Sequence, residues 1–173
     1  MKKKTLLIIT VIVIIAMFFV YLGVKNFARK TGEVSKSDHI AKDAIVVYQK
    51  GKETKIRPDS SRFPELKTEI ETIFVTANDI YEVIVTDQLI RDTKTQESSI
   101  ELTYATPQRL KIEKTQQVFE ISHILIPLSG RFSQPITIFY GTPEYKAPNQ
   151  IVNTKKGNNK LLNILTALGI EIK

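Results

Sequence analysis

Residues 5–24, Thr5 to Val24, form an apolar run without a single charge, and Lys2, Lys3 and Lys4 stand directly before it. About 20 apolar residues is the length a helix needs to cross the hydrocarbon core of a bilayer. Ile and Val dominate the run, a composition that in water would suit a strand. In lipid an unpaired backbone amide is so costly that the helix wins. Tyr21, near the far end, has the apolar body and polar tip that suit the membrane interface.

A cleaved secretory signal has an apolar region of only about 7–15 residues, followed by small residues at the cleavage site. This run is longer, and both exits are poor. Tyr21 would precede cleavage after Gly23, and Asn26 would precede cleavage after Ala28. The run therefore reads as an uncleaved anchor. With no cysteine in the chain, a lipid-modified cysteine is excluded. The short basic tail favours an N-terminus inside. Lys25, Arg29, Lys30 and Lys36 follow the run and nearly balance it, but keeping four residues inside is the simpler insertion route. The expected organisation is a tail over 1–4, an anchor over 5–24, a polar basic stalk over 25–43 and an extracytoplasmic domain over 44–173.

About 135 residues beyond the anchor and its flank suffice for one domain with a real core. The formal charge is +7, yet residues 25–57 carry +5 and residues 58–173 only −1. The excess lies beside the membrane. Such a flank would attract an anionic lipid surface or an anionic envelope polymer, at about 1 kcal/mol per cation near the surface. The near-neutral body argues against nucleic acid, which wants a basic face with interleaved aromatics. The lack of cysteine also removes disulfides, thiol nucleophiles and thiolate metal sites.

Ala44–Lys50 is β-branched and aromatic, Lys50-Gly51-Lys52 supplies a turn, and Glu53–Arg57 returns as a hairpin partner. Pro58-Asp59-Ser60-Ser61 opens a helix, with Asp59, Ser60 or Ser61 as cap. Phe63, Leu66, Ile70, Ile73, Phe74 and Ala77 form its apolar stripe. Glu65, Lys67, Thr68, Glu69, Glu71 and Thr72 occupy the other face. Residues 80–86 alternate as a strand. Asp87–Thr93 reads as a short helix capped by Thr86 or Asp87, or as a continuation of that strand. Ile100–Tyr104, Arg109–Glu113, Val118–Leu128 and Pro135–Tyr140 are strand-like. In the third of these, Phe119, Ile121, His123 and Leu125 share one face. Gly141–Gly157 is a long loop, Lys160–Leu168 a helix capped by Asn158 or Asn159 and stopped by Gly169, and Ile170–Lys173 an edge strand. The order predicts an α+β domain: a mostly antiparallel sheet covered by two helices on one face.

Tyr104-Ala-Thr-Pro107 and Tyr140-Gly-Thr-Pro143 both end a strand alike, which a proline's missing donor explains without a duplication. Of the two histidines, His39 belongs to the stalk and His123 to a strand. His123 is either a base or a half-buried strand residue. No His-x-His or His-x-x-x-His spacing supports zinc, no Gly-x-Ser-x-Gly elbow marks a hydrolase, and the seven glycines form no phosphate loop. No cofactor is expected. In Leu125–Phe132, Pro127 breaks the strand and Gly130 permits a bend presenting Arg131 and Phe132 as a binding tip, unless Phe132 packs back into the core. The loop 141–159, with Tyr145, Lys155, Lys156 and its asparagines, is the second candidate surface, suited to an anionic or sugar-like partner.

These residues suggest a non-catalytic binding component of the cell envelope, held by membrane lipid and partnered by an envelope protein or an anionic polymer. Two alternatives follow from the same residues. One is an anchored hydrolase using His123. The other is a cytoplasm-facing domain that contacts anionic lipid through residues 25–57.

Overall fold

In a computed structural model, residues 42–82, 85–142, 145, 149–153 and 156–172 are described. The tail, the apolar run 5–24 and the stalk up to Ala41 lie outside the described residues, as do Lys25, Arg29, Lys30, Lys36, His39 and Lys155. Among the described residues no helix is long and apolar enough to cross a membrane.

Among the described residues seven strands pair antiparallel: β1 (Ala44–Gln49), β2 (Lys52–Ile56), β3 (Asp79–Glu82), β4 (Ser98–Lys111), β5 (Val118–Pro127), β6 (Ile136–Gly141) and β7 (Asn149–Asn153). Their order across the sheet is β2-β1-β4-β5-β6-β7-β3. Among the described residues three helices complete the α+β fold: α1 (Phe63–Val75), α2 (Asp87–Thr95) and α3 (Asn159–Ala167). The β1–β2 turn needs only Lys50 and Gly51, both at positive φ, because Gln49 already pairs with Lys52. Two consecutive left-handed residues give the turn whose twist matches the flanking strands.

The stripe anticipated on α1 is buried in full, from Phe63 to Ala77. Pro64 sits in its first turn, where a missing N–H costs nothing. The cap differs from expectation: Arg62 holds the N-cap position, and its side chain bonds to the Glu65 carboxylate (2.7 Å) rather than capping the first-turn amides. α3 packs beside α1 on the same sheet face, and its Leu161, Ile164 and Leu165 join the main core. It ends as anticipated. Gly169 has φ +74, its N–H donates to the Thr166 carbonyl, and Ile170 N–H donates to Leu165. This paired bonding satisfies carbonyls that the last turn leaves open. Ile170–Ile172 forms no strand, contrary to the edge strand expected there.

Three helices cover the sheet rather than two, and they lie on both faces. α2 packs across the second face, where Ile90, Leu125 and Phe139 form a smaller apolar cluster. Consequently β6 is buried along its whole length, with no polar-out side. The segment read as a long loop also contributes β7.

The two strands expected at 100–104 and 109–113 are one bent strand, β4, with a register shift between Thr103 and Gln108. On β5 the side chains that reach the main core change parity at this point. Ile124 and Ile126 point into it on one side of the shift, and Ile121 and Phe119 on the other. His123 and Leu125 therefore do not share a face with Phe119 and Ile121, as strict alternation had predicted. The irregularity leaves the Ser122 N–H to the Thr142 hydroxyl (3.1 Å), which in turn donates to the Glu120 carbonyl (2.6 Å). Such a bulge re-aims a strand. Here it folds the far end of the β4–β5 hairpin over the end of α1, where Glu113 N–H donates to Val75 O at 2.9 Å. Phe74, Phe119 and Tyr140 lock that corner edge-to-face, with ring centroids 5.2–6.1 Å apart.

Candidate functional site

A cleft of about 470 Å³ opens between α2 and the second sheet face, lined by Asp87, Ile90, Arg91, Lys94, Glu101, His123 and Tyr145. Its geometry begins with α2. Thr86 caps the helix by accepting from Leu89 N–H at 3.1 Å. At its other end the β1–β2 turn closes it: Gly51 N–H donates to Lys94 O and Lys50 N–H to Glu97 O. The Ser99 hydroxyl ties the helix to β4 by donating to Thr93 O at 3.2 Å. These bonds fix Lys94, in the last turn, above the sheet.

Below it lies Glu101 of β4, between Val46 of β1 and Leu125 of β5 in the ladder. It is 7 % exposed. Its carboxylate accepts from Lys94 Nζ (2.7 Å) and the Tyr145 hydroxyl (2.6 Å) at Oε1, and from the Tyr48 hydroxyl (2.6 Å) at Oε2. Burial alone would raise the pKa of Glu101. The three donors and the Lys94 charge outweigh it and hold the group below the usual carboxylate range. Burial and the adjacent carboxylate push both tyrosine hydroxyls up, so they act as neutral donors. Lys94 Nζ also stands 5.0 Å from the Tyr48 ring centre and 5.4 Å from that of Tyr145, within cation–π reach.

His123 lines the next part of the cleft. Its ring centre is 5.7 Å from that of Tyr145, and Nδ1 lies 3.2 Å from the Thr103 hydroxyl. Two of the residues singled out in the sequence, His123 and Tyr145, are thus brought together from segments 22 positions apart. The other candidates lie elsewhere. Phe132 packs edge-on against Phe139 (5.5 Å) and joins the apolar cluster beneath α2, while exposed Arg131 covers its ring at 4.4 Å. Lys156 is directed at Glu69 of α1, 3.1 Å away.

Sequence reasoning missed Glu101, Lys94 and Tyr48. Glu101 occupies what reads as the polar side of an alternating strand, and nothing local announces that α2 will cover it. Glu69 was likewise assigned to the exposed face of α1, yet it is 1 % exposed and bridges Lys156 and Lys160 (2.8 Å) where α3 packs alongside.

The arrangement is suited to holding a ligand. Glu101 is already saturated by three donors, so it is a poor proton acceptor. His123 has the Thr103 hydroxyl rather than a carboxylate at Nδ1, so among the described residues no acid orients it through that nitrogen in the manner of a hydrolytic triad. What faces the opening is an aromatic wall, an aliphatic side chain and the exposed pair Asp87 and Arg91. Among the described residues no group of three or more His, Asp or Glu is placed to hold a metal ion. Comparison with protein-family models, with curated proteins and with solved structures returned no match to this chain.

Proposed function

We propose that this chain is a single-pass, membrane-anchored component of the cell envelope that works by binding, with its α+β domain outside and the cleft beneath α2 as its contact site. The observation that supports this reading most is the state of Glu101. A buried carboxylate tied at once to Lys94, Tyr48 and Tyr145 is a rigid, charge-compensated floor. Rigid walls lower the ordering cost of binding. The cleft volume falls within the ~300–1,000 Å³ range usual for ligand sites. The anchor at 5–24 and the basic stalk hold the domain near lipid. An envelope protein or an anionic polymer is the expected partner class.

The test is site-specific photocrosslinking in intact cells. A photoreactive residue at Arg91, on the rim, should give a discrete adduct that the Tyr145→Ala change removes. The same probe at Lys55, on exposed edge strand β2, should give none. An adduct pattern at Arg91 indistinguishable from that at Lys55 would reject the cleft as the contact site. Protease added to intact cells should remove a tag placed at Lys173; survival of the tag until lysis would reject the outside location.

A further inference from the structure

Glu97 sits between the end of α2 and the first residue of β4, and its carboxylate lies against the bend that links β5 to β6. Three observations meet there. The first is closeness. At Gly130, in the bend, φ is +78, and the space that a Cβ would fill is taken by the Glu97 carboxylate. Only a residue without a side chain lets the two surfaces meet in this conformation.

The second is the state of the carboxylate. Its Oε2 is buried and has no hydrogen bond or ion pair among the described residues. A charge held that way is costly, and taking up a proton removes the cost. Burial pushes the Glu97 carboxyl up, and the Arg131 charge on the bend offsets only part of this. The other charged groups on elements packed against it do not answer it. Lys94 of α2 is bonded to Glu101, and Asp92 accepts from Gln88 and Gln96. Lys50 and Lys52 of the β1–β2 turn and Glu171 beyond α3 are exposed.

The third is what the bend holds. The N–H groups of Leu128 and Ser129 both donate to Ser98 O, at 2.7 and 3.2 Å, and Ser98 N–H donates to the Ser129 hydroxyl at 2.9 Å. The residue next to Glu97 thus clamps the start of the bend. Ser133 N–H closes it by donating to Gly130 O at 3.2 Å, and Thr137 N–H donates to Phe132 O at 2.9 Å. Phe132, carried by the bend, packs on Phe139 in the apolar cluster beneath α2.

We infer that Glu97 is a proton-operated latch on the bend over 128–133: the closed bend holds a proton on Glu97, and loss of that proton loosens the bend and the seat of Phe132 beneath α2. Opening the bend returns the carboxylate to water. A proton binds more tightly to the closed state than to the open one, so acid favours closure. The closed-state value lies above the ordinary 4.5. The stabilisation by the proton therefore grows as pH falls through the closed-state value and levels off below 4.5. Glu101 acts in the opposite sense and below 4.5, so the two windows are separate. The latch belongs to the fold and does not rest on the cleft being the contact site.

The experiment follows the side-chain carboxyl carbon of Glu97 by NMR in the full-length chain in detergent micelles, from pH 7 to pH 4, together with the Gly130 amide resonance. The carboxyl should titrate with a midpoint above 4.5, and Gly130 should shift with the same midpoint. Hydrogen-exchange protection of the bonded amides of Ser129, Ser133 and Thr137, corrected for intrinsic exchange, should rise as pH falls through that midpoint. Glu97→Gln, uncharged at every pH, should hold the higher protection at pH 7 and lose the pH dependence. Arg131→Ala, which removes the opposing charge, should move the midpoint further up. The wild-type titration decides the matter even if a variant fails to fold. A midpoint at or below 4.5, bend amides indifferent to the Glu97 titration, or an unchanged pH dependence in Glu97→Gln would each overturn the inference.

Discussion

The Tyr145 hydroxyl donates to Glu101 Oε1 at 2.6 Å across 44 positions of sequence, making the floor of the cleft a shared product of β4 and the segment beyond β6. A hydrogen bond to a charged group contributes about 1.5–3 kcal/mol. Tyr145→Phe should therefore lower stability by roughly that amount in urea unfolding at pH 7, and Tyr48→Phe by a similar amount.

The same carboxylate sets a pH dependence. The folded-state pKa of Glu101 lies below its ordinary value of 4.5. The folded protein therefore holds this group deprotonated where the unfolded chain binds a proton. Its contribution is fully present above pH 4.5 and is lost as pH falls through the folded-state value. Urea midpoints measured from pH 7 to pH 3 should fall in that window. In Tyr145→Phe, with one donor removed, the folded pKa rises and the fall should be shallower. Equal slopes in both proteins would show that Glu101 is not the responsible group.

Gly130 has φ +78, and a Cβ built there would lie 2.3 Å from Glu97 Oε1. Gly169 has φ +74 with nothing within 4 Å. A left-handed alanine costs about 1–2 kcal/mol by itself. Gly169→Ala should cost only that, whereas Gly130→Ala should cost more because Glu97 must move. Adding Glu97→Ala should bring the Gly130→Ala penalty down to the Gly169→Ala value. Thermal unfolding of these three variants, with Glu97→Ala alone as the reference for the double change, completes the comparison.

Phe74 is fully buried and touches both Phe119 and Tyr140. Phe74→Ala should cost about 3–5 kcal/mol, the usual range for a core aromatic. Hydrogen exchange should rise first in the hairpin end, residues 108–121, because that arm rests on this corner.

Glu69 joins α1 to α3 through Lys156 and Lys160. Glu69→Gln should speed amide exchange in α3 by about tenfold, equivalent to ~1.4 kcal/mol, while exchange in β4 and β5 stays as before. Uniform acceleration throughout the domain would mean the pair supports global stability rather than the docking of α3.

Much of the architecture was legible in the residues. The stripe of α1, the Thr86 cap of α2, the Lys50-Gly51 turn and the Gly169 stop are local rules, set by side-chain spacing and backbone conformation within a few residues. An apolar run such as 5–24 is local in the same sense. Its length and lack of charge set what it asks of its surroundings, whatever the rest of the chain does. What the sequence could not carry is any property that depends on which surface covers which. Glu69 and Glu101 read as solvent-facing because their strand and helix positions are polar by period. They are buried because α3 and α2 close over them. The face taken by His123 depends on a bulge satisfied by Thr142, 20 positions after the amide it accepts from. Periodicity fixes where side chains point relative to their own element. Only tertiary packing decides whether they meet water, and so whether a charge becomes a surface residue or the floor of a site.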